Sequence, residues 1–206
     1  MSTHLSTGFS RAELFKKGAT GGTALLAAGS AFAVLAPAAA ADPLSDNDLA
    51  LARILVATEL LGIDFYTQAT AAKKLDKRAQ RRFGQALENE QEHYQSVAQI
   101  LSGAGQVPAT PDDIDMSYPR GTFDSSGAIL KQGRQVENIM LGCYLGAIGA
   151  FLAPSLVPGL ATIAASEAQH VSYFQAAFTG KPFALAFPGP PLNFDQATTA
   201  LDKYQS

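Results

Sequence analysis

Two stretches decide how this chain is read: Glu90-Gln91-Glu92-His93 and Glu167-Ala168-Gln169-His170. Each places a glutamate three residues before a histidine, and together they hold every histidine beyond residue 41. Positions i and i+3 share one face of an α-helix, so each stretch can aim a carboxylate oxygen and an imidazole nitrogen at the same point. One Glu-x-x-His carries little information. Two of them, well separated along the chain, imply a single shared site.

Further acids stand at matched distances upstream. The interval from Glu59 to Glu90 is within one position of that from Glu137 to Glu167. Each upstream acid is followed seven residues later, two turns along the same face, by a tyrosine: Tyr66 and Tyr144. The polar residues alone thus outline a pseudo-repeat of two helical hairpins. Glu59 has apolar neighbours at i−4, i−3 and i+4. Glu137 and Glu167 bracket a run, Asn138 to Ser166, without any charge. Carboxylates buried in such surroundings are costly unless paired or coordinated, and four of them in one core repel unless cations lie between. Four negative charges match two divalent ions. Oxygen and imidazole donors without thiolate fit iron best, with manganese or zinc as alternatives. The candidate ligands are therefore Glu59, Glu90, His93, Glu137, Glu167 and His170. Read singly, each has a plain structural explanation: Glu90 on a solvated face, Glu59 or Glu137 paired with Arg53 or Arg134, either histidine satisfied in the core. Glu88 and Glu92 fall off the Glu90/His93 face and read as surface charges, in a helix also rich in Lys77, Arg78, Arg81 and Arg82. Tyr66 and Tyr144 read as core residues rather than redox participants.

Hydrophobic periodicity supplies the helices. Leu51, Ile54, Leu55, Thr58, Leu61, Gly62 and Phe65 recur at three- and four-residue steps. They predict a first helix over 46–73, opened by a capping box from Ser45 to Asp48. A second, capped by Asp76, is expected over 77–102 and ends at Gly103. A third opens at Ser125 or Ser126 and runs to 152, broken by Pro154. A fourth covers 156–178 and stops before Gly180. Joints of about three residues within each pair force antiparallel neighbours. The roughly twenty residues between the second and third helices, with Pro108, Pro111, Pro119 and Gly121, are long enough to run the length of a bundle. The expected fold is all-α: two antiparallel hairpins joined by one long crossover. The tail, 181–206, is broken by Pro182, Pro188, Pro190 and Pro191. It has room for a short helix near 195–203 and is expected to pack through Phe183, Phe187 and Phe194.

Positions 1–41 read as an address. Arg11, Lys16 and Lys17 precede an uncharged Ala/Gly/Leu-rich run over 18–41 that closes on Ala38-Ala39-Ala40-Ala41, the layout of a signal peptide. Ser10-Arg11-Ala12-Glu13-Leu14-Phe15-Lys16 resembles a twin-arginine signal, with Ala12 where the second arginine belongs. The organisation expected is 1–41 signal, 42–180 bundle, 181–206 tail, with export to the periplasm or cell envelope, or secretion. An uncleaved leader is the only route to a membrane anchor that this segment offers. The apolar run 139–153 is a weaker membrane candidate because of Pro154, Pro158 and the flanking glutamates.

Bulk composition limits the alternatives. The chain has 206 residues, 47% hydrophobic and 16% charged, with a formal net charge of −3, so nothing suggests nucleic acid. Its single cysteine, Cys143, excludes an intramolecular disulfide, a zinc ribbon and a rubredoxin-like iron site. Cys143 lies in Met140-Leu141-Gly142-Cys143-Tyr144-Leu145 and reads as a small buried hydrophobe.

The order and type of these six polar residues resemble the ferritin-like superfamily of di-iron carboxylate four-helix bundles. The resemblance covers about 46–178. The leader and the crossover length make the chain similar to the exported bacterial ferritin-like group that includes desiccation-related proteins. The resemblance implies Glu59, Glu90, His93, Glu137, Glu167 and His170 as ligands of a dinuclear metal centre, with Glu90 or Glu167 bridging. It implies ferroxidase, peroxidase or O2-dependent oxidase chemistry, with metal ions, O2 or peroxide, and a second copy of the chain (a homodimer) as partners. The proline-broken tail departs from cage-forming ferritins. A non-enzymatic envelope or stress-protection protein built on the same bundle is the competing expectation.

Overall fold

The computed structural model describes residues 43–180 and 189–205. The leader and the positions of Phe183 and Phe187 lie outside the described residues. Five α-helices and two short 3-10 turns are present, and no strand occurs among the described residues. The helices are α1 (Asp46–Ala71), α2 (Lys77–Gly103), α3 (Ser126–Ala150), α4 (Val157–Thr179) and α5 (Phe194–Leu201). The expected all-α bundle of two hairpins is what the chain forms: α1 packs chiefly on α2, α3 on α4, and α1 on α3.

Local chemistry sets the helix ends. Ser45 accepts the Asp48 N–H and starts α1. Asp76 accepts the N–H groups of Arg78 and Ala79 and starts α2. Ser125 accepts the Ala128 N–H and starts α3. Such caps satisfy amide donors that the first helical turn leaves unpaired. The α1–α2 joint needs a left-handed residue, and Lys73 supplies it with φ 54°, so α1 ends at Ala71 rather than 73. The glycine that ends α2 is Gly105 (φ 71°), not Gly103. The Gln106 N–H reaches the Leu101 carbonyl and the Gly105 N–H reaches that of Ser102, the hydrogen-bond pair of a Schellman motif.

The end of α3 corrects a second expectation. Asp48 does not complete a capping box. Its carboxylate, 2% exposed, instead accepts the Leu152 N–H at 2.7 Å. This bond takes the amide that would have continued α3, so the helix stops at Ala150, four residues before Pro154, and the joint to α4 lengthens to 151–156. The neighbouring Asn47 side chain donates to the Ala150 carbonyl. The start of α1 therefore lies against the end of α3, and the two helices are antiparallel. Asp48→Ala should destabilise the chain by about 1–3 kcal/mol, the range for leaving a buried hydrogen-bond donor unsatisfied. Asp48→Asn, which keeps an acceptor, should lose less, as urea unfolding followed by circular dichroism would show.

The crossover runs the bundle's length, as its composition suggested. Arg53 near the start of α1 bonds Gln106 just past α2. Gln80 near the start of α2 bonds the Thr70 carbonyl near the end of α1. Residues 104–125 must then climb from one end to the other, and Tyr118 touches the Leu61 carbonyl on the way. The tail closes the remaining side of α1 and α3. It packs through Ala197, Ala200, Leu201 and Tyr204, all buried. Phe194 opens α5 directly after the Asn193 cap and keeps 37% of its surface exposed. Gly142 and Gly146 admit the segment before α5: a Cβ on Gly146 would lie 1.7 Å from the Leu192 carbonyl oxygen.

Enclosure by α2, α3, α5 and the crossover explains why α1 is so apolar. Every residue from Ile54 to Gly62 is buried, as expected of a helix covered on all sides. Glu59 sits in the middle of that run. No helix among the described residues is long and apolar enough to cross a membrane.

Candidate metal centre

Each of the four helices brings its acid to the bundle axis. Glu59, Glu90, Glu137 and Glu167 are each 0% exposed. The i, i+3 spacing on α2 and α4 then carries His93 and His170 to the same level, with side chains 12% exposed. Glu88 and Glu92 are exposed on the outer face of α2. Arg53 and Arg134 do not neutralise the buried acids: Arg53 bonds Gln106, and Arg134 lies over the Phe178 ring.

The contacts cross between hairpins. His93 Nδ1 lies 2.9 Å from Glu167 Oε1 on the other hairpin and 3.3 Å from Glu90 Oε2 on its own. His170 Nδ1 lies 2.9 Å from Glu90 Oε1 and 3.7 Å from Glu167 Oε2. Glu59 comes within 3.8 Å of His93, and Glu137 within 3.5 Å of His170. Two overlapping groups result: Glu59, Glu90, His93 and Glu167, and Glu90, Glu137, Glu167 and His170. Within each group the ligand atoms lie within 4.8 Å of one another, and each group could hold a metal ion. Glu90 and Glu167 belong to both.

The hydrogen bonding tests whether the residues fit metal. Among the described residues, the buried side-chain polar atoms without a hydrogen-bond partner are Glu59 Oε2, Glu90 Oε1, Glu137 Oε2, both oxygens of Glu167 and His170 Nδ1. All belong to this cluster. Buried polar groups are almost always satisfied. Donor-rich and acceptor-rich atoms that approach to 2.9 Å without hydrogen-bond alignment are directed at common points between them, as ligand atoms are.

The tyrosines account for the remaining oxygens of the terminal acids. Tyr144 donates to Glu59 Oε1, and Tyr66 donates to Glu137 Oε1. In each case the other oxygen, Oε2, is the unpartnered one. Each tyrosine therefore serves the acid of the opposite hairpin, fixing its carboxylate and leaving one oxygen for the centre. Both remain core residues, fully buried, but with a polar task that their spacing alone did not reveal. Asn89 is a further addition: its side-chain amide lies 3.2 Å from His170 Nε2, and such a contact on the outer nitrogen orients a ligating imidazole. Asn89 lies four residues before His93 on α2, and that spacing gave no sign of a partner on α4.

Electrostatics in the metal-free cluster follow from burial. Burial, with Glu90 and Glu167 nearby, holds Glu59 well above the ordinary carboxylate range. Burial likewise lifts Glu137, against the nearby His170 imidazole, to about 8. Glu167 goes the other way. Burial would raise it, but the close approach of the His170 and His93 imidazoles outweighs that and brings it down to about 2. Burial alone would lower His93, yet its contacts with Glu167 and Glu90 lift it to about 9. Histidinium groups thus supply part of the positive charge that four buried carboxylates require. Cys143 is buried, and burial pushes its thiol up to about 11, which leaves it inert.

If the tyrosines orient the terminal acids, Tyr66→Phe and Tyr144→Phe should each weaken metal retention by about 10–100-fold, the usual effect of losing a group that supports a ligand. Competition dialysis against a chelator measures this. Unchanged retention in both variants would contradict the role.

A bundle of two crossed helical hairpins around four buried carboxylates and two histidines defines a class of helical carboxylate–histidine proteins. The family described as "Ferritin-like domain" matches residues 47–180, more than half of the chain, and the chain belongs to that family. A search among curated proteins finds no match.

Proposed function

We propose that the chain binds two divalent metal ions, iron foremost, and uses them in oxidation–reduction with O2 or peroxide as ferroxidase, peroxidase or oxidase. The observation that carries this reading is the pair of overlapping ligand groups that share Glu90 and Glu167 and contain the unpartnered buried polar atoms. Glu59 and His93 would hold one ion, Glu137 and His170 the other, with Glu90 and Glu167 between them. Ferrous ions held there would supply the electrons for reduction of an oxidant, one from each ion. The chain's own contribution is positional. Tyr144 and Tyr66 hold the terminal carboxylates, Asn89 steadies His170, and the apolar wall of α1 excludes water from Glu59. To ligate through Nδ1, His93 and His170 would have to be unprotonated there, so metal binding would compete with protons.

Elemental analysis of protein refolded with iron or manganese tests the binding. Two metals per chain are expected, with ligand-to-metal charge-transfer absorption in the near ultraviolet for the oxidised iron form. Consumption of O2 or peroxide by the ferrous protein tests the chemistry. Metal well below one equivalent would refute the reading.

One observation favours a second reading, a scaffold without a working centre. The histidine–glutamate contacts at 2.9 Å already compensate much of the buried charge. Metal-loaded protein that consumes neither oxidant would favour this reading.

We also propose, from the charged start and small-residue close of positions 1–41, that the chain is exported to the periplasm or cell envelope, in the manner of desiccation-related proteins. N-terminal sequencing of protein recovered from cell fractions tests this. A start at Asp42 outside the cytoplasm is expected, and an intact leader on cytoplasmic protein would refute it.

A further inference from the structure

We propose that the cationic surface formed by Arg78, Arg81 and Arg82 docks an acidic one-electron carrier protein, and that the rings of Tyr173, Phe174, Phe83 and Tyr66 lead from that surface to the metal centre. The proposal rests on the redox reading above and addresses how reducing equivalents reach a site enclosed by four helices.

The arginines stand where helix energetics disfavour them. Lys77 and Arg78 occupy the first turn of α2, beside the positive end of the helix dipole, a cost of about 0.3–1 kcal/mol for each cation. Lys77 with Arg81, and Arg78 with Arg82, are like charges four residues apart, a repulsive spacing. Six of the chain's 15 lysines and arginines fall within 73–82, where Asp76 is the only acid, and Asp76 Oδ1 caps the amides of Arg78 and Ala79. None of the three arginines is in an ion pair among the described residues. With Gln85 they line one open surface cavity. On a protein of net charge −3, this is a local, uncompensated positive face suited to an acidic partner.

That face is also joined to the centre. The Arg82 guanidinium lies 5.4 Å from the centroid of the Tyr173 ring, which is half-buried. From Tyr173, Phe174 is 5.4 Å away and Phe83 is 6.3 Å away, between centroids. Each leads on to Tyr66, at 6.4 Å and 5.3 Å. The Tyr66 ring is 6.2 Å from His170, and its hydroxyl bonds Glu137. The symmetry-related tyrosine has no such connection: among the described residues Tyr144 has no ring partner. The pseudo-repeat is broken on the one side that faces the arginines. A lipid surface or a nucleic acid would satisfy the charge but would make no use of the ring path.

Each transfer removes one electron from the carrier's reduced cofactor and converts one ferric ion of the pair to ferrous. No covalent bond is made or broken, and Tyr66 keeps its proton on the Glu137 hydrogen bond.

The test uses the full chain and a strongly acidic [2Fe–2S] ferredoxin as probe. Oxidised ferredoxin should bind the metal-free protein in isothermal titration, with affinity that falls as salt rises. Arg78→Gln/Arg81→Gln/Arg82→Gln should weaken that binding by about tenfold or more, while Lys131→Gln/Lys203→Gln should leave it within about twofold. Circular dichroism checks that both variants fold. In the iron-loaded protein, Tyr173→Leu should leave ferredoxin binding intact and slow single-turnover oxidation of reduced ferredoxin by about tenfold or more. Equal binding by the arginine variant overturns the docking site. Arginine-dependent binding to phosphatidylglycerol vesicles without binding to ferredoxin overturns the choice of partner. An unchanged rate in Tyr173→Leu overturns the ring path. The binding arm needs no metal, so its failure is distinct from failure of the metal reading.

Discussion

Glu167→Ala is expected to empty both metal positions, whereas Glu59→Ala is expected to empty only one. The difference follows from where the two residues stand. Glu167 Oε1 faces His93 and Glu167 Oε2 faces His170, neither oxygen has a hydrogen-bond partner, and the residue belongs to both ligand groups. Removing it takes an anionic donor from each ion at once. Glu59 belongs to one group only, through a single free oxygen, since its other oxygen accepts from Tyr144. Its loss leaves Glu90, Glu137, Glu167 and His170 in place. By the pseudo-two-fold, Glu90→Ala should behave like Glu167→Ala, and Glu137→Ala like Glu59→Ala. Anaerobic equilibrium dialysis with Fe(II), read by elemental analysis, measures this. Equal losses from shared and terminal acids would contradict the assignment of roles.

The second large effect is on stability. Four carboxylates at 0% exposure are a strained arrangement without cations: burial and mutual repulsion hold Glu59 well above its ordinary range, and burial lifts Glu137 to about 8. Metal binding relieves this and adds its own linkage. A single site at a thousand times its dissociation constant contributes about 4 kcal/mol. For a domain of this size that raises Tm by roughly 8–16 °C. Glu59→Gln should act in the opposite sense on the two forms. It keeps an acceptor for Tyr144 and removes the cost of burying an ionisable carboxyl, so the metal-free protein should gain about 1–4 kcal/mol, as when buried ionic groups are replaced by neutral ones. The same variant should lose a large part of the metal-induced gain. Differential scanning calorimetry with and without metal separates the two effects. A Glu59→Gln chain that is less stable than the parent without metal would contradict the electrostatic account.

Much of the fold and the centre is legible in the sequence, for identifiable reasons. Buried glutamates in apolar helices are conspicuous, and i, i+3 spacing fixes which face a histidine shares. Glu59, Glu90, His93, Glu137, Glu167 and His170 can therefore be picked out together, and they do converge. Linker lengths carry the hairpin topology because a short joint leaves no choice but an antiparallel return.

What escapes the sequence depends on contacts between helices. Tyr66 shares a face with Glu59, yet serves Glu137, because its partner is set by the antiparallel register of α1 and α3. Asp48 looks like part of a capping box, but bonds an amide on the far side of the sequence, at the end of α3. Gly103 lies at the expected end of α2, but the left-handed turn falls at Gly105, where the Leu101 carbonyl can be met. The tail docks through Ala197, Ala200, Leu201 and Tyr204, and Leu192 seats against Gly142 and Gly146, a fit that depends on shape.

The central claim is that two metal ions lie between Glu90 and Glu167. The most direct test is an anomalous-difference map from crystals of the iron-loaded chain, recorded at the iron absorption edge. Two peaks are predicted between these carboxylates, one beside Glu59 and His93 and the other beside Glu137 and His170. Iron-soaked crystals with no peak there, or with peaks only on surface acids, would contradict the account.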